Sequence, residues 1–549
     1  FYVVYYLNEI YSRQGDWITM DIVVGVMAIL LVLEACRRLI GWFLSIICAF
    51  FILYAFIGPY MPYLFSHKGY SVERIATTLF LTTEGIFGVP LGVAATFVFI
   101  FVLFGAFLEV SGAGNFYINF AYALTGRFTG GPAKTSVVAS GFMGSVSGSA
   151  VANVVATGSF TIPMMKKVGY RPHMAGAIES AASTGGQLMP PIMGAGAFLM
   201  AEFTETSYLT IIKIAIVPAF LYYMTVLLFV HFEAKKSGIK GQPKEKLPRL
   251  FTVLKEGIHF ILPIIALVIA LVNNVSPMMA GFVAVVSVYM ASFLHKRSRM
   301  GFKQTIKALE RGAKNAVMVS TACAAAGIIV GIVTLTGQGL NFSSLVLQLS
   351  NNIEIIAILL IGLASLVLGM GLPVTASYIV LATLAGPALL EMGIPLLVAH
   401  MIVFWYSQAA NVTPPVCLAS FAGAGVARAS PMRTAFSSCK LAVGLYIIPI
   451  IMAYRPILGN GPWWEVVQAM ITCAAGLLAI SAALDRYLFR RATKREVILL
   501  VFAAICLFWP EMKLAGFIIP AYISDIIGAL ALTGVLFMQK RYPTLPATH

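Results

Sequence analysis

Two interruptions of apolar sequence recur with one internal spacing. The first reads Gly144-Ser-Val-Ser-Gly-Ser-Ala-Val-Ala-Asn153, followed by Gly186-Gln-Leu-Met-Pro190-Pro191. The second reads Gly369-Met-Gly-Leu-Pro-Val-Thr-Ala-Ser377, followed by Ala410-Asn-Val-Thr-Pro414-Pro415. Ser147 to Pro190 and Gly371 to Pro414 span the same 43 positions, and the second pair lies 224 residues after the first. Proline lacks an amide hydrogen, clashes with the preceding turn and pushes the residue before it toward extended backbone. Each Pro-Pro pair is therefore expected to split a helix and free backbone carbonyls, which rules out a plain bundle of unbroken helices.

The surrounding sequence makes a bilayer the natural solvent. Of 549 residues 60% are hydrophobic and 11% charged, with a mean hydropathy of +0.90. A water-soluble fold cannot hide that much apolar surface. About a dozen to fifteen apolar stretches are expected, many near the roughly 20 residues that a spanning helix needs. Clear ones cover 18–35, 39–57, 91–110, 208–230, 260–271, 278–293, 313–335, 443–454, 463–484, 497–508 and 518–537. The fold class that follows is an all-α polytopic membrane protein. The seven cysteines are dispersed and form no CxxC, so they read as packing residues. The chain begins with Phe1 rather than Met, and further helices are expected before it.

The net charge of +16 is concentrated in short loops, notably 235–255, 296–314 and 486–495. That distribution fits the Lys/Arg excess of cytoplasmic loops rather than a nucleic-acid partner. Two helices separate 235–255 from 296–314, so both loops lie inside. Counting back through 208–230 and the broken 172–203 segment puts Lys166, Lys167 and Arg171 inside too, and the first break becomes a re-entrant hairpin open to the cytoplasm. Counting forward through 313–335 puts the second hairpin, 353–390, on the outer side. The duplication is thus read as inverted. The stretches 117–125 and 340–349 stay ambiguous.

Unbonded backbone is tolerated at membrane depth only where protein, water, an ion or a substrate satisfies it. Half-helix carbonyls suit a small cation, and half-helix N–H groups suit a carboxylate. Paired breaks in two halves point to the binding site of a secondary transporter. The candidate site residues are Ser145, Ser147, Ser149, Asn153, Thr184, Gln187 and Pro190 from the first copy. The second copy adds Gly369, Gly371, Thr375, Ser377, Gln408, Asn411, Thr413 and Pro414. A sodium site would draw on Ser147, Asn153, Gly371, Thr375 and Asn411, since hydroxyl, amide and carbonyl oxygens are hard ligands. Either copy alone fits close packing of small residues equally well; the repetition at one spacing is what favours a site. Glu84, Glu109, Glu179, Glu202, Asp525 and His400 are costly in a membrane and default to function. Glu179 and Glu202 flank the first Pro-Pro pair and are candidate proton carriers; an interfacial or ion-paired role is the alternative for each. No HExxH, GxSxG or Walker A pattern offers catalytic chemistry, so an enzyme is not expected.

These residues resemble the membrane permease of tripartite ATP-independent periplasmic (TRAP) transporters, most closely the fused permeases of the TAXI branch. Gly144 to Gly158 with Glu179 to Glu202, and Gly369 to Pro387 with Gln408 to Gly425, look like that family's hairpin and broken-helix regions. The resemblance divides the chain into small-subunit-like (Q-type) helices at 1–70, a large-subunit-like (M-type) transport core at 71–454, and extra C-terminal helices at 455–549. Within the core, the first motif copy covers 134–203 and the second 353–427. It implies an elevator mechanism, coupling to sodium or protons without a cofactor, and a periplasmic TAXI-type substrate-binding protein that delivers an organic acid. The setting would be the cytoplasmic (inner) membrane of a bacterium or archaeon. A stand-alone dicarboxylate or citrate carrier of the same broad superfamily is the alternative.

Overall fold

Proline and glycine punctuate this chain into helices of very unequal length. In the computed structural model, residues 2–541 are described apart from 63–64, 297, 510–511 and 515–516. Parts of the expected 1–70 and 455–549 segments, and one residue of the basic loop 296–314, therefore lie outside the described residues. Proline occupies the first turn of Gly131–Ser147, Pro172–Gly186, Leu262–Val272, Pro277–Ser292 and Pro431–Leu441. Its fixed φ suits a helix start, where its missing N–H would be unbonded anyway.

Among the described residues, nine helices are long and apolar enough to cross a membrane, or ten if the bent pair Lys244–Phe260 and Leu262–Val272 counts as one span. That is fewer than the expected dozen or more. The difference comes from apolar helices cut short by their breaks, including Glu354–Leu368, Leu396–Ala409 and Leu418–Ala427. The expectation of an all-α chain needs one small correction. Strands Met512–Leu514 and Phe517–Ile519 pair antiparallel, so the last helix, Ala521–Arg541, begins later than the apolar run suggested.

Residues divide into two compact units. One comprises Phe1–Leu103, Ala195–Thr206 and Lys307–Ser407; the other comprises Phe104–Gly194, Ser207–Ile306 and Gln408–His549.

In the second of these, helices Gly131–Ser147 and Ala150–Lys167 form the first hairpin. Gly148 turns the tip with φ 62°, a left-handed conformation that glycine adopts without steric cost. Ser149 then caps the second limb by accepting from the Ala152 N–H at 3.3 Å. Pro172–Gly186 packs against both limbs. Gly144 and Gly186 meet backbone to backbone: a Cβ on Gly186 would fall 2.5 Å from the Gly144 Cα. The Gly144 part of the motif is therefore close packing, as a small-residue contact requires. Gly176 and Gly423 make the same kind of contact between Pro172–Gly186 and Leu418–Ala427. At the C-terminal end, Arg455 pairs with the buried Asp525, which also accepts from Gln468 Nε2 at 2.9 Å. Asp525, a functional candidate from sequence, is thus held in an internal ion pair.

In the first unit, Glu354–Leu368 and Val374–Glu391 form the second hairpin. Gly371, with φ 66°, turns its tip. Helix Gln338–Ser350 packs on Val374–Glu391. The two stretches left ambiguous by sequence prove alike. Ala113–Thr125 and Gln338–Ser350 each have 13 residues and follow a left-handed glycine, Gly112 or Gly337. At about 1.5 Å per residue neither reaches across a hydrocarbon core of about 30 Å.

Candidate functional site

Glu179 sits at the centre of the first hairpin's packing. It lies on Pro172–Gly186 and is fully buried. Five hydroxyls donate to its carboxylate. Ser136 and Ser140 reach it from the first limb, both at 2.5 Å. Thr157 and Thr161 reach it from the second limb. Ser183, one turn along its own helix, completes the set at 3.1 Å. The geometry follows from helical periodicity, because residues four apart share a face. Ser136/Ser140, Thr157/Thr161 and Glu179/Ser183 are three such pairs on three helices, all turned to one point.

Among the described residues no Lys, Arg or His forms an ion pair with Glu179. Hydroxyls suit either state, since each can donate to a carboxylate or accept from a carboxylic acid. Several also bridge elsewhere: Thr157 can donate to the Asn153 carbonyl at 2.7 Å and Ser140 lies 3.0 Å from Thr157.

The residues expected from the first interruption adjoin this cage. Asn153 donates to the Ser140 carbonyl at 2.9 Å. Gln187 Nε2 donates to the Gly148 carbonyl at 2.7 Å. Both side chains retain a buried oxygen, Asn153 Oδ1 and Gln187 Oε1, with no partner among the described residues, and Ser147 Oγ is a third. Buried polar atoms are ordinarily bonded to protein or water, and these three unpartnered ones gather at one tip. Ser145, Ser149 and Thr184 spend their hydroxyls locally. Ser145 donates to the Phe142 carbonyl, Ser149 caps a helix and Thr184 donates to the Ser180 carbonyl.

The Pro190–Pro191 bond is cis, and the carbonyls around it are not all left for an ion. Tyr208 donates to the Ile192 and Pro191 carbonyls, the latter at 3.1 Å. The Gly194 N–H donates to the Gln187 carbonyl at 2.8 Å. The Pro414–Pro415 bond is also cis. The Val412 carbonyl accepts from Cys439 Sγ at 3.2 Å, and the Asn411 carbonyl from the Ala419 N–H at 3.1 Å. Thr413 Oγ1 lies 2.6 Å from both the Ala409 carbonyl and the Tyr446 hydroxyl. Gln408, buried beside this break, has neither amide atom bonded among the described residues.

Gly369, Gly371, Thr375 and Ser377 belong to the other unit, at the tip of the second hairpin. Thr375 and Ser377 are buried there, and Ser377 Oγ is unpartnered among the described residues. Gln338 Nε2 and Ser343 Oγ, on the neighbouring helix, are unpartnered too; sequence reasoning did not single them out. Buried His400 bonds through Nδ1 to the Tyr378 hydroxyl at 2.8 Å. The two candidate carriers separate clearly: Glu179 is enclosed, and Glu202 is exposed at the end of Gly196–Phe203.

Residues 27–458 match the family model for the tripartite ATP-independent periplasmic transporter, DctM component. The chain is 25% identical over 390 residues to the C4-dicarboxylate TRAP transporter large permease protein DctM of Pseudomonas aeruginosa, covering 70% of this chain and 88% of that protein. It is 24% identical over 360 residues to the isethionate TRAP transporter permease protein DctMQ of Oleidesulfovibrio alaskensis, covering 65% of this chain and 56% of that one. It is 25% identical over 321 residues to the 2,3-diketo-L-gulonate TRAP transporter large permease protein YiaN of Escherichia coli, covering 58% and 74%. With more than three quarters of its length inside one family model and two broken, hydroxyl-rich segments at its centre, the chain belongs to the DctM component of the tripartite ATP-independent periplasmic transporters.

Proposed function

We propose that this protein is the membrane permease of a secondary active importer of small organic acids, supplied by a periplasmic substrate-binding protein of the TAXI type. The observation that carries the reading is the set of buried, unpartnered polar atoms at Ser147, Asn153 and Gln187 near the first Pro-Pro break and at Gln408 near the second. Such atoms suit an ion and a carboxylate that bind transiently. The relatives named for C4-dicarboxylate, isethionate and diketo-gulonate transport support an anionic organic substrate. The two hairpins, with their breaks at one spacing and opposite parity in the loop-charge count, support inverted repeats that move as an elevator in the inner membrane. Within this reading, 1–70 is small-subunit-like, 71–454 is the transport core and 455–549 is an appended helical region.

The coupling ion is sodium or a proton, and the Glu179 cage favours the proton. The support for this is a buried carboxyl ringed by five hydroxyls, with no cation paired to it among the described residues. Sodium would instead use side-chain oxygens such as those of Ser147, Asn153 and Asn411, which lie in one unit. Proteoliposomes holding the permease and its cognate binding protein should accumulate acid under a proton gradient without sodium. Uptake that persists without the binding protein would instead make this a stand-alone dicarboxylate or citrate-type carrier. Strict dependence on sodium would move the coupling site to the oxygen set.

A further inference from the structure

A cavity of mixed polar and apolar lining lies entirely within the first unit. Its volume is about 450 Å³, and its walls include Lys68, Tyr70, Arg74, Thr78, Glu84 and Thr334. The segment carrying Lys68 is pinned to its surroundings. The Tyr70 N–H donates to the Ala55 carbonyl at 3.0 Å, His67 Nε2 lies 3.1 Å from the Tyr54 carbonyl, and the Tyr70 hydroxyl donates to the Leu335 carbonyl. Lys68 Nζ rests 5.3 Å from the centre of the Tyr70 ring, a cation–π seat. Arg74 stands in the first turn of Val72–Leu81, where its N–H is held by Ser71 Oγ at 3.2 Å. Thr78 follows one turn later on the same face and is buried. Neither Lys68 nor Arg74 forms an ion pair among the described residues. With Glu84 counted, the lining carries a net charge of about +1 at neutral pH.

Two independent parity counts put this cavity on the face opposite the basic loops. Helix Phe302–Thr336 carries Lys307, Arg311 and Lys314 near its start and Thr334 at its end, and its 35 residues run about 52 Å, well beyond a hydrocarbon core. Helix Thr19–Leu39 ends in Arg37 and Arg38, and Trp42–Ile57 then crosses back before Lys68. By the positive-inside rule the cavity is outward-facing, on the side where lysine and arginine are depleted. Two exposed cations retained there, around a concave surface with threonines on its walls, suit an anion.

We propose that this cavity is an outer receiving site for a small carboxylate. Arg74 offers a planar fork matched to a carboxylate and Lys68 a point charge beside it, with Thr78 and Thr334 as hydroxyl partners. The net charge of about +1 is neutralised by one carboxylate. The site receives the acid that the binding protein releases at the outer face and holds it before it proceeds inward, a charge-based contact that weakens as salt screens it. The proposal rests on the organic-acid reading of the transporter, and its test is chosen to fail separately from that reading.

Saturation-transfer NMR on the full chain in nanodiscs, without any binding protein, should detect lactate or succinate but not the uncharged lactamide or succinamide. The acid signal should vanish in Lys68→Gln/Arg74→Gln and in high salt, and persist in the charge-preserving Lys68→Arg/Arg74→Lys, which also controls for folding. In proteoliposomes the glutamine pair should raise KM for uptake by about tenfold, the scale of one lost charge-assisted contact, with kcat held. No acid signal from the wild type, or a signal indifferent to the glutamine pair, overturns the site. A raised KM without any free-acid signal also overturns it and makes the cavity a contact for the binding protein. Acid binding that depends on Lys68 and Arg74, in a protein that transports nothing, would keep the site and sink the importer.

Discussion

Gln187 Nε2 donates to the Gly148 carbonyl at 2.7 Å, fastening the break that follows Gly186 to the tip of the first hairpin. One amide thus serves two ends. Its nitrogen holds the tip while its buried oxygen stays unpartnered among the described residues. Gln187→Leu removes both functions and should lower uptake about tenfold, the equivalent of one hydrogen bond near 1.4 kcal/mol. Wild-type uptake by correctly inserted Gln187→Leu would take Gln187 out of the site.

Glu179→Gln keeps the shape of the cage but replaces the carboxyl with an amide that cannot ionise. If Glu179 carries the coupling proton, acid-driven uptake should fall by about a hundredfold or more, the scale of a positioned acid–base group. Counterflow exchange of substrate, which needs no net proton movement, should survive. Equal loss of uptake and exchange would mark Glu179 as purely structural.

Tyr208 supplies the hydroxyl that satisfies the Pro191 and Ile192 carbonyls. Tyr208→Phe leaves those carbonyls short of a donor inside the protein, at a cost of about 1–3 kcal/mol. A lowered Tm in detergent is the expected outcome. An unchanged Tm would mean that other donors serve the break.

Two glycine substitutions should act in opposite directions. Gly186→Ala drives a methyl against Gly144 backbone and should destabilise by about 1–3 kcal/mol, because neither backbone can yield without moving a helix. Gly425 has open space where a Cβ would stand. Gly425→Ala should be neutral or stabilising by up to about 1 kcal/mol, from helix propensity alone. Melting curves of the two variants side by side check both, and a lower Tm for Gly425→Ala than for Gly186→Ala would refute the packing account.

The features legible in the sequence are those set by local chemistry. The Pro-Pro breaks at Pro190 and Pro414 declare themselves because proline acts on its own turn, and the tips at Gly148 and Gly371 because glycine tolerates left-handed backbone. The cage around Glu179 was not legible as a cage. Ser136, Ser140, Thr157 and Thr161 are ordinary hydroxyls in apolar helices, and only the crossing of three helices turns their four-residue spacings toward one carboxyl. Ser145 and Ser149 look like ligands among small residues in the sequence; in the fold Ser145 donates to a helix carbonyl and Ser149 caps a helix start. The fate of Asp525 likewise depended on Arg455, 70 positions away.

Each hydroxyl around Glu179 owns a single hydrogen and a free rotation. Each can turn its hydrogen toward the carboxyl or away from it, with no heavy atom displaced. Ser136 and Ser140 belong to one limb, Thr157 and Thr161 to the other, and Ser183 to the helix that runs into the first break. One carboxyl thereby ties three helices to a single point, through hydroxyls that can turn in place.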